Sequence, residues 1–302
     1  MLPFLDEEQV RAALRLEDLI PAMEAALIDF SAGRVSQAAR EMLTVEPHGG
    51  HFGVMPAAGA IGMGAKLVTF YPGNADRGIP THSALIVLFR PETGEPLAIM
   101  DGRLITEMRT AAVSAAATRA MATEDAEVLA ILGSGIQARS HVVALRLVRN
   151  FKAIRVWSRN DEHAARFASE IGAVVMTAEA AVREADVVVT ATSAVEPVLK
   201  GAWLKPGAHV NAIGWRGPRG RELDEEAMRN LVVVDSRDAV VRESGDVLLS
   251  GAKIYAELGE VLAGSKPVPR RETSIFESVG IAIEDVAAAK LVYDYFTRIQ
   301  AP

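Results

Sequence analysis

Residues 129–141, LAILGSGIQARSH, pass from an apolar run through small residues into a helix-forming stretch. Gly133, Gly135 and Ala138 fit G-x-G-x-x-A. Between a strand and a helix, each position of that spacing has a mechanical reason. The first glycine permits a tight turn, the second lets the backbone approach a pyrophosphate, and the small third residue lets helix and strand pack closely. The helix amino end then meets the phosphate. About twenty residues on, the end of the next strand usually carries an acid that holds ribose hydroxyls. Here the turn is Ser158-Arg159-Asn160, with an arginine and no acid. An acid would repel a 2′-phosphate, whereas a guanidinium holds it by charge-assisted hydrogen bonds. A glycine corner and a solvated arginine also occur without a ligand, but at this offset the two turns predict a dinucleotide site that prefers NADP to NAD.

Other residues carry chemistry without a motif of their own. Lys66 lies within the apolar GAKLVTFY, Arg109 stands before an alanine-rich stretch in TEMRTAAVS, and Arg40 follows polar residues. By type alone these are surface cations. Asp224, in GRELDEEAM, fits a helix N-cap supported by Glu225 and Glu226. No metal site is expected: the chain has no cysteine, and its six histidines show no H-x-x-x-H pair. His48, His51 and His82 have surface or structural roles as their default.

Two textures position these residues. From about Asp125 onward, short β-branched runs (EVLAIL, AIRVW, AVVM, DVVVTAT, HVNAIG, LVVVD) alternate with helical stretches such as NDEHAARFASEIG. Continuous apolar runs are the pattern of buried parallel strands, so a Rossmann-type doubly wound sheet is expected over 116–282. The first part, 1–115, is expected to be an α+β domain. It opens with a helix over EEQVRAALRLEDLIPAMEAALIDFSAG and continues with FGVMPA, MGAKLVTFYPG and a hairpin turning at RPETGEP. A strong helix former, RTAAVSAAATRAMA, leads out of it. The tail GIAIEDVAAAKLVYDYF is an amphipathic helix.

With 302 residues, half of them apolar, the chain can bury a large core. A net charge of −7 argues against nucleic acid as a partner. The acidic start MLPFLDEEQV lacks a signal-peptide core, and runs such as ALIVLF are too short to span a bilayer. A soluble, cytoplasmic protein with no membrane partner is expected.

The stretches GVMPA, KLVTFYPGN, GIPTHSALIVLF, TGEPLAIMDGRLITEMRTAAVSA, ILGSGIQARSH, VWSRN, LKPGAHVNAIG, RELDEEAM, ESGDVLLSGAKIYAELGEV and SVGIAIEDVAAAKLVYDYF together resemble the ornithine cyclodeaminase/mu-crystallin family over nearly the whole chain. VWSRN is most similar to its NADPH-dependent ketimine-reductase branch. The resemblance implies roles. Arg40, Lys66 and Arg109 match cations that grip a substrate α-carboxylate, and Lys66 joins Asp224 as a catalytic residue, Asp224 handling the proton on the substrate nitrogen. Cofactor contacts are implied at Thr81, Arg109, Thr110, Gly133, Gly135, Ile136, Gln137, Ser158, Arg159, Asn160, Thr192, Val279 and Gly280, the last two in the segment beside the nicotinamide. The resemblance also implies a homodimer paired through the first domain, and a C-terminal helix, 283–302, that packs back on that domain. Too few strands in the first domain to bury a sheet face points the same way. The activity implied is reduction of a cyclic ketimine, of pyrroline- or piperideine-2-carboxylate type, in a cleft between the domains. Ornithine cyclodeamination, alanine dehydrogenation and non-catalytic small-ligand binding are the alternatives. Trp215 and Arg216 depart from the family pattern and would crowd and charge the pocket.

Overall fold

A computed structural model describes residues 2–214 and 217–299, with backbone only at 75 and 76. Trp215 and Arg216 therefore lie outside the described residues. In chain order the first elements are β1 (Phe4–Leu5), α1 (Glu7–Ala13), α2 (Leu16–Ser31), β2 (Ser36–Gln37), β3 (Glu41–Val45), β4 (Gly50–Gly59), β5 (Gly62–Phe70), β6 (His82–Phe89), β7 (Pro96–Asp101) and α3 (Arg103–Met121). Then follow β8 (Val128–Leu132), α4 (Ile136–Arg146), β9 (Ala153–Trp157), α5 (Asp161–Ile171), β10 (Val174–Val175), α6 (Ala178–Val182), β11 (Val187–Thr190) and β12 (His209–Ala212). The last are β13 (Leu231–Val234), α7 (Arg237–Glu243), α8 (Gly245–Ser250), β14 (Ile254–Glu257), α9 (Leu258–Leu262), β15 (Ser274–Glu277) and α10 (Ala282–Ile299).

Two compact units result, 1–109 with 281–302, and 110–280. The division falls inside α3, and the expected boundary at 115/116 lies further along the same helix. The first unit holds a seven-stranded sheet in the order β1-β7-β6-β5-β4-β2, with β3 also on β4. Only β1–β7 is a parallel pair, and RPETGEP turns the antiparallel β6–β7 hairpin. The expected shortage of strands is thus corrected, because β1, β2 and β3 are too short or too polar to stand out in the sequence. The single opening helix is corrected as well. It breaks at Leu14, whose extended backbone starts a new turn so that both Val10 and Leu14 are buried.

One face of this sheet packs under α10 and α2. Met55, Lys66, Ile86 and Met100 lie on it as cross-strand partners, all buried. The other face carries Leu43, Leu67 and Leu85, of which Leu43 and Leu85 are exposed.

The second unit is an eight-stranded, wholly parallel sheet in the order β10-β9-β8-β11-β12-β15-β13-β14. Its valine-rich centre, from Leu129–Leu132 through Val187–Val189 to Val232–Val234, is fully buried. Continuous apolar strands are what two covered faces require. The chain leaves β8 toward β9 and returns to β11 on the other side of β8. Strand order therefore reverses at β8/β11, the point where such sheets open a ligand crevice beyond their carboxyl ends.

Candidate active site

The second unit builds its site from the β8–α4 turn. Gly133 has φ +128 and its missing side chain would collide with the Ala191 carbonyl, so only glycine fits. Gly135 differs. Its backbone is ordinary, it caps α4 without any side-chain hydrogen bond, and a Cβ there would meet open space. Its value is the room it leaves above the uncapped amino end of α4, where N–H groups and the helix dipole favour an anion. Ala138 is fully buried against the strand, as the small third residue of the motif requires.

A cavity of about 440 Å³ opens there. It is lined by Gly133, Gly135, Ile136 and Gln137, by Ser158, Arg159 and Asn160, and by Thr192 with its loop. Ser134 Oγ and Ser158 Oγ, 2.8 Å apart, tie the two turns together. Asn160 caps α5 by accepting from the His163 N–H, so its carbonyl is committed to structure. Arg159 is exposed and makes no ion pair or hydrogen bond with a described residue. The residues thus fit a dinucleotide: an open phosphate turn, an uncapped helix and an unpaired guanidinium at the ribose position. Val279 and Gly280 lie outside this cavity, after β15, where the buried Asp235 carboxylate accepts from both backbone N–H groups. Thr110 is half-buried in α3.

In the first unit, folding gathers the cations that the sequence scatters. Lys66 comes from the middle of β5, and Arg109 from α3, whose start is capped by Asp101. Both are buried. They meet two acids from the first turn of α10. Lys66 Nζ lies 2.7 Å from Asp285 Oδ2, Arg109 Nη1 lies 2.6 Å from Glu284 Oε2, and Arg109 Nε lies 3.1 Å from Asp285 Oδ1. Burial pulls the Lys66 ammonium down to about 8, against the attraction of Asp285 and helped by the charges of Arg109 and Arg40. Burial works against ionisation of Asp285 too, but Lys66 and Arg109 outweigh it and hold the carboxyl below its usual range. Arg40 is half-buried and close enough to act on both. His82, at the start of β6, is pushed down to about 4 by burial and then by Lys66 and Arg109, so it is neutral near pH 7. Thr81, beside it, is half-buried, and its carbonyl accepts from Tyr71 N–H.

Three cations thus meet at two carboxylates, an arrangement whose guanidinium and ammonium groups suit a carboxylate on a ligand. Glu284 and Asp285 are the residues that sequence reasoning missed. The adjacent acids in IAIEDVAAA, inside an otherwise apolar run, were the available signal, since buried charges come paired.

Asp224 holds backbone through its side chain. Its Oδ1 accepts from Gly201 N–H and Ala227 N–H, both at 2.9 Å. Its bond to Ala227 holds the start of a 3₁₀ turn, Ala227–Arg229, that leads into the amino end of β13, a structural role of the kind expected for an N-cap. Among the described residues no group of three or more His, Asp or Glu is arranged to hold a metal ion, and no helix is long and apolar enough to cross a membrane.

Comparison with known proteins fits both halves. The sequence model of the ornithine cyclodeaminase/mu-crystallin family matches residues 3–299. A ketimine reductase mu-crystallin from Mus musculus is 49% identical over 301 residues, covering 96% of each chain. The structure of Thermococcus litoralis Delta(1)-pyrroline-2-carboxylate reductase, in complex with NADH and L-proline, superposes with a TM-score of 0.93 at 36% identity, over 99% of this chain and 98% of that one. An archaeal alanine dehydrogenase dimer with bound NAD superposes with a TM-score of 0.94 at 33% identity, over 99% and 97%.

Proposed function

Because the chain belongs to the ornithine cyclodeaminase/mu-crystallin family, we propose that it is a nicotinamide-dependent oxidoreductase that reduces a cyclic 2-imino acid, of pyrroline- or piperideine-2-carboxylate type, to the cyclic amino acid, with NADPH as the preferred reductant. The observation that carries the chemistry is the cluster of Lys66, Arg109, Glu284 and Asp285, all buried, with the half-buried Arg40 beside it. Its cations complement the carboxylate of an imino acid. Arg109 and Arg40 hold and orient that carboxylate, and such positioning is worth several kcal/mol. Lys66, titrating at about 8, keeps its proton at neutral pH yet releases it readily. We assign it the proton that converts the imine nitrogen to the better hydride acceptor, a role worth ~10²–10⁴ in rate. The bound reduced nicotinamide supplies the hydride for the α-carbon. One hydride and one proton turn C=N into CH–NH, and no other group is transferred.

For the cofactor, Gly133 to Gln137 and the amino end of α4 take the pyrophosphate. Arg159, with no partner among the described residues, takes the 2′-phosphate that marks NADPH, with Ser158 beside it. We also propose a homodimer through the first unit. The uncovered apolar sheet face with Leu43 and Leu85 supports it, as does the dimeric alanine dehydrogenase.

The test is a screen of NADPH and NADH consumption with five- and six-membered cyclic 2-imino acids, run beside an assay of ammonia release from ornithine. NADPH consumption with a cyclic imino acid is the expected result. Brisk ammonia release without nicotinamide consumption assigns the lyase reaction instead.

A further inference from the structure

The segment RELD carries a second carboxylate, two residues before Asp224, and its surroundings are unlike those of a cap. Glu222 is 2% exposed. Its Oε1 accepts from Thr192 N–H at 2.7 Å and from Thr192 Oγ1 at 2.6 Å, and its Oε2 accepts from Gly214 N–H at 2.8 Å. Thr192 Oγ1 in turn accepts from Ala194 N–H. The Glu222 carbonyl accepts from Val198 N–H and Leu199 N–H. Thr192, Ala194 and Val198 all line the dinucleotide cavity, so Glu222 fastens that wall directly at Thr192 and Val198 and, through Thr192, at Ala194. Gly214 follows β12, and a side chain there would overlap the Glu222 carboxylate, so only glycine lets its N–H reach Oε2. Glu222 is itself anchored, because its own N–H and that of Leu223 donate to the buried Asp246 carboxylate.

We infer that Glu222 is a positioning residue for the nicotinamide nucleotide: its carboxylate locks the loop after β11 to the loop after β12, and so fixes one wall of the cavity that receives the cofactor. This rests on the functional reading above only in taking that cavity as the nucleotide site. Among the described residues the partners of the side chain are donors, which suits an ionised carboxylate. Burial raises its pKa against them. A fold that needed only filling there would be served at lower cost by an apolar side chain. A carboxylate offers what an apolar residue lacks, two oxygens that hold two separate loops in one register.

The experiment is nucleotide titration, read by fluorescence, on Glu222→Gln and on a Thr192 pair. An amide of the same size accepts at one end only, and its NH₂ faces a backbone N–H at the other, so one loop is released whichever way it turns. Glu222→Gln is expected to raise the Kd for NADPH at least tenfold with one site per folded chain retained. Thr192→Val is expected to raise it at least fivefold more than Thr192→Ser, which keeps the hydroxyl. A Kd for Glu222→Gln within twofold of wild type overturns the inference. So does a loss of sites at unchanged Kd, the signature of a merely structural role, or an equal effect of Val and Ser. Binding needs no imine substrate, which separates the two failures. Wild-type protein that binds NADPH but reduces no imino acid sinks the proposed reaction and leaves the positioning role testable. Wild-type protein that binds no nicotinamide nucleotide sinks both.

Discussion

Asp285→Asn tests the proton donor. In the native cluster Lys66 is held at about 8 by opposing effects: burial, Arg109 and Arg40 lower it, while Asp285 raises it. Lys66 acts in its protonated form, so activity is present below that value and lost as pH rises through it. Removing the Asp285 charge removes the attraction that raises the Lys66 pKa, so the alkaline limb must move to lower pH. At 2.7 Å, two unit charges interact by about 6 kcal/mol at an effective dielectric of 20. The amide keeps a dipole at that place and Glu284 remains on the preceding residue, so only part is lost. A loss of about 1.4–2.7 kcal/mol is one to two pKa units, which puts the limb at roughly pH 6–7. The assay is kcat/KM for a cyclic imino acid at saturating NADPH across that range. His82, already neutral, cannot supply the limb. The variant also leaves Lys66 without its acid, which can cost about 3–5 kcal/mol if it stays charged. Asp285→Glu, which keeps the charge, is the control and should keep the limb near its wild-type position. An unmoved limb in a folded Asp285→Asn, or a wild-type profile flat through pH 8, refutes the assignment of Lys66.

Three other expectations are simpler. The wild type should favour NADPH over NADH by at least tenfold in kcat/KM, about 1.4 kcal/mol, and Arg159→Ala should bring the two toward parity; equal use by the wild type would count against the 2′-phosphate reading. Sedimentation at micromolar concentration should give a dimer, and a monomer there removes that proposal. Asp224→Ala should lower stability by about 1 kcal/mol through its lost caps and change kcat only a few-fold, whereas a hundredfold fall in kcat at unchanged melting temperature would restore Asp224 as the proton carrier.

The second unit was legible because its signals are local. Six of its eight strands announce themselves as apolar β-branched runs, and the phosphate turn puts its motif, its strand and its helix within a dozen residues. β14 (Ile254–Glu257) and β15 (Ser274–Glu277) escape notice because polar residues interrupt them, so neither reads as a continuous β-branched run. The acids at their ends, Glu257 and Glu277, accept from the Arg237 N–H and the Ser244 hydroxyl, pairings no residue pattern advertises. The first unit's strands β1–β3 escape because they are short or polar. The family resemblance supplied Lys66 and Arg109, and the fold shows why residue type could not. A lysine in an apolar strand is ambiguous until its partner is known, and that partner lies more than two hundred residues away on α10.

Asp224 and Glu222 show the same lesson within a single tetrapeptide. RELD offers two carboxylates, and sequence position alone favours the one at the start of a helix-like run. Folding assigns that one to hold a turn, because a half-exposed carboxylate beside free backbone N–H groups has nothing better to do. It buries the other beneath the ends of β11 and β12, where its hydrogen bonds fix the loops after both strands. Burial, not type, separates the two. Keeping a carboxylate in the interior costs stability, and the geometry it imposes on the cavity wall accounts for its retention. In the first unit the same cost is met differently: Glu284 and Asp285 are buried against Lys66 and Arg109. Those cations suit the carboxylate of a cyclic imino acid. The side-chain ammonium of ornithine would bring further positive charge toward Lys66, Arg109 and Arg40, which favours the reductive reaction over cyclodeamination.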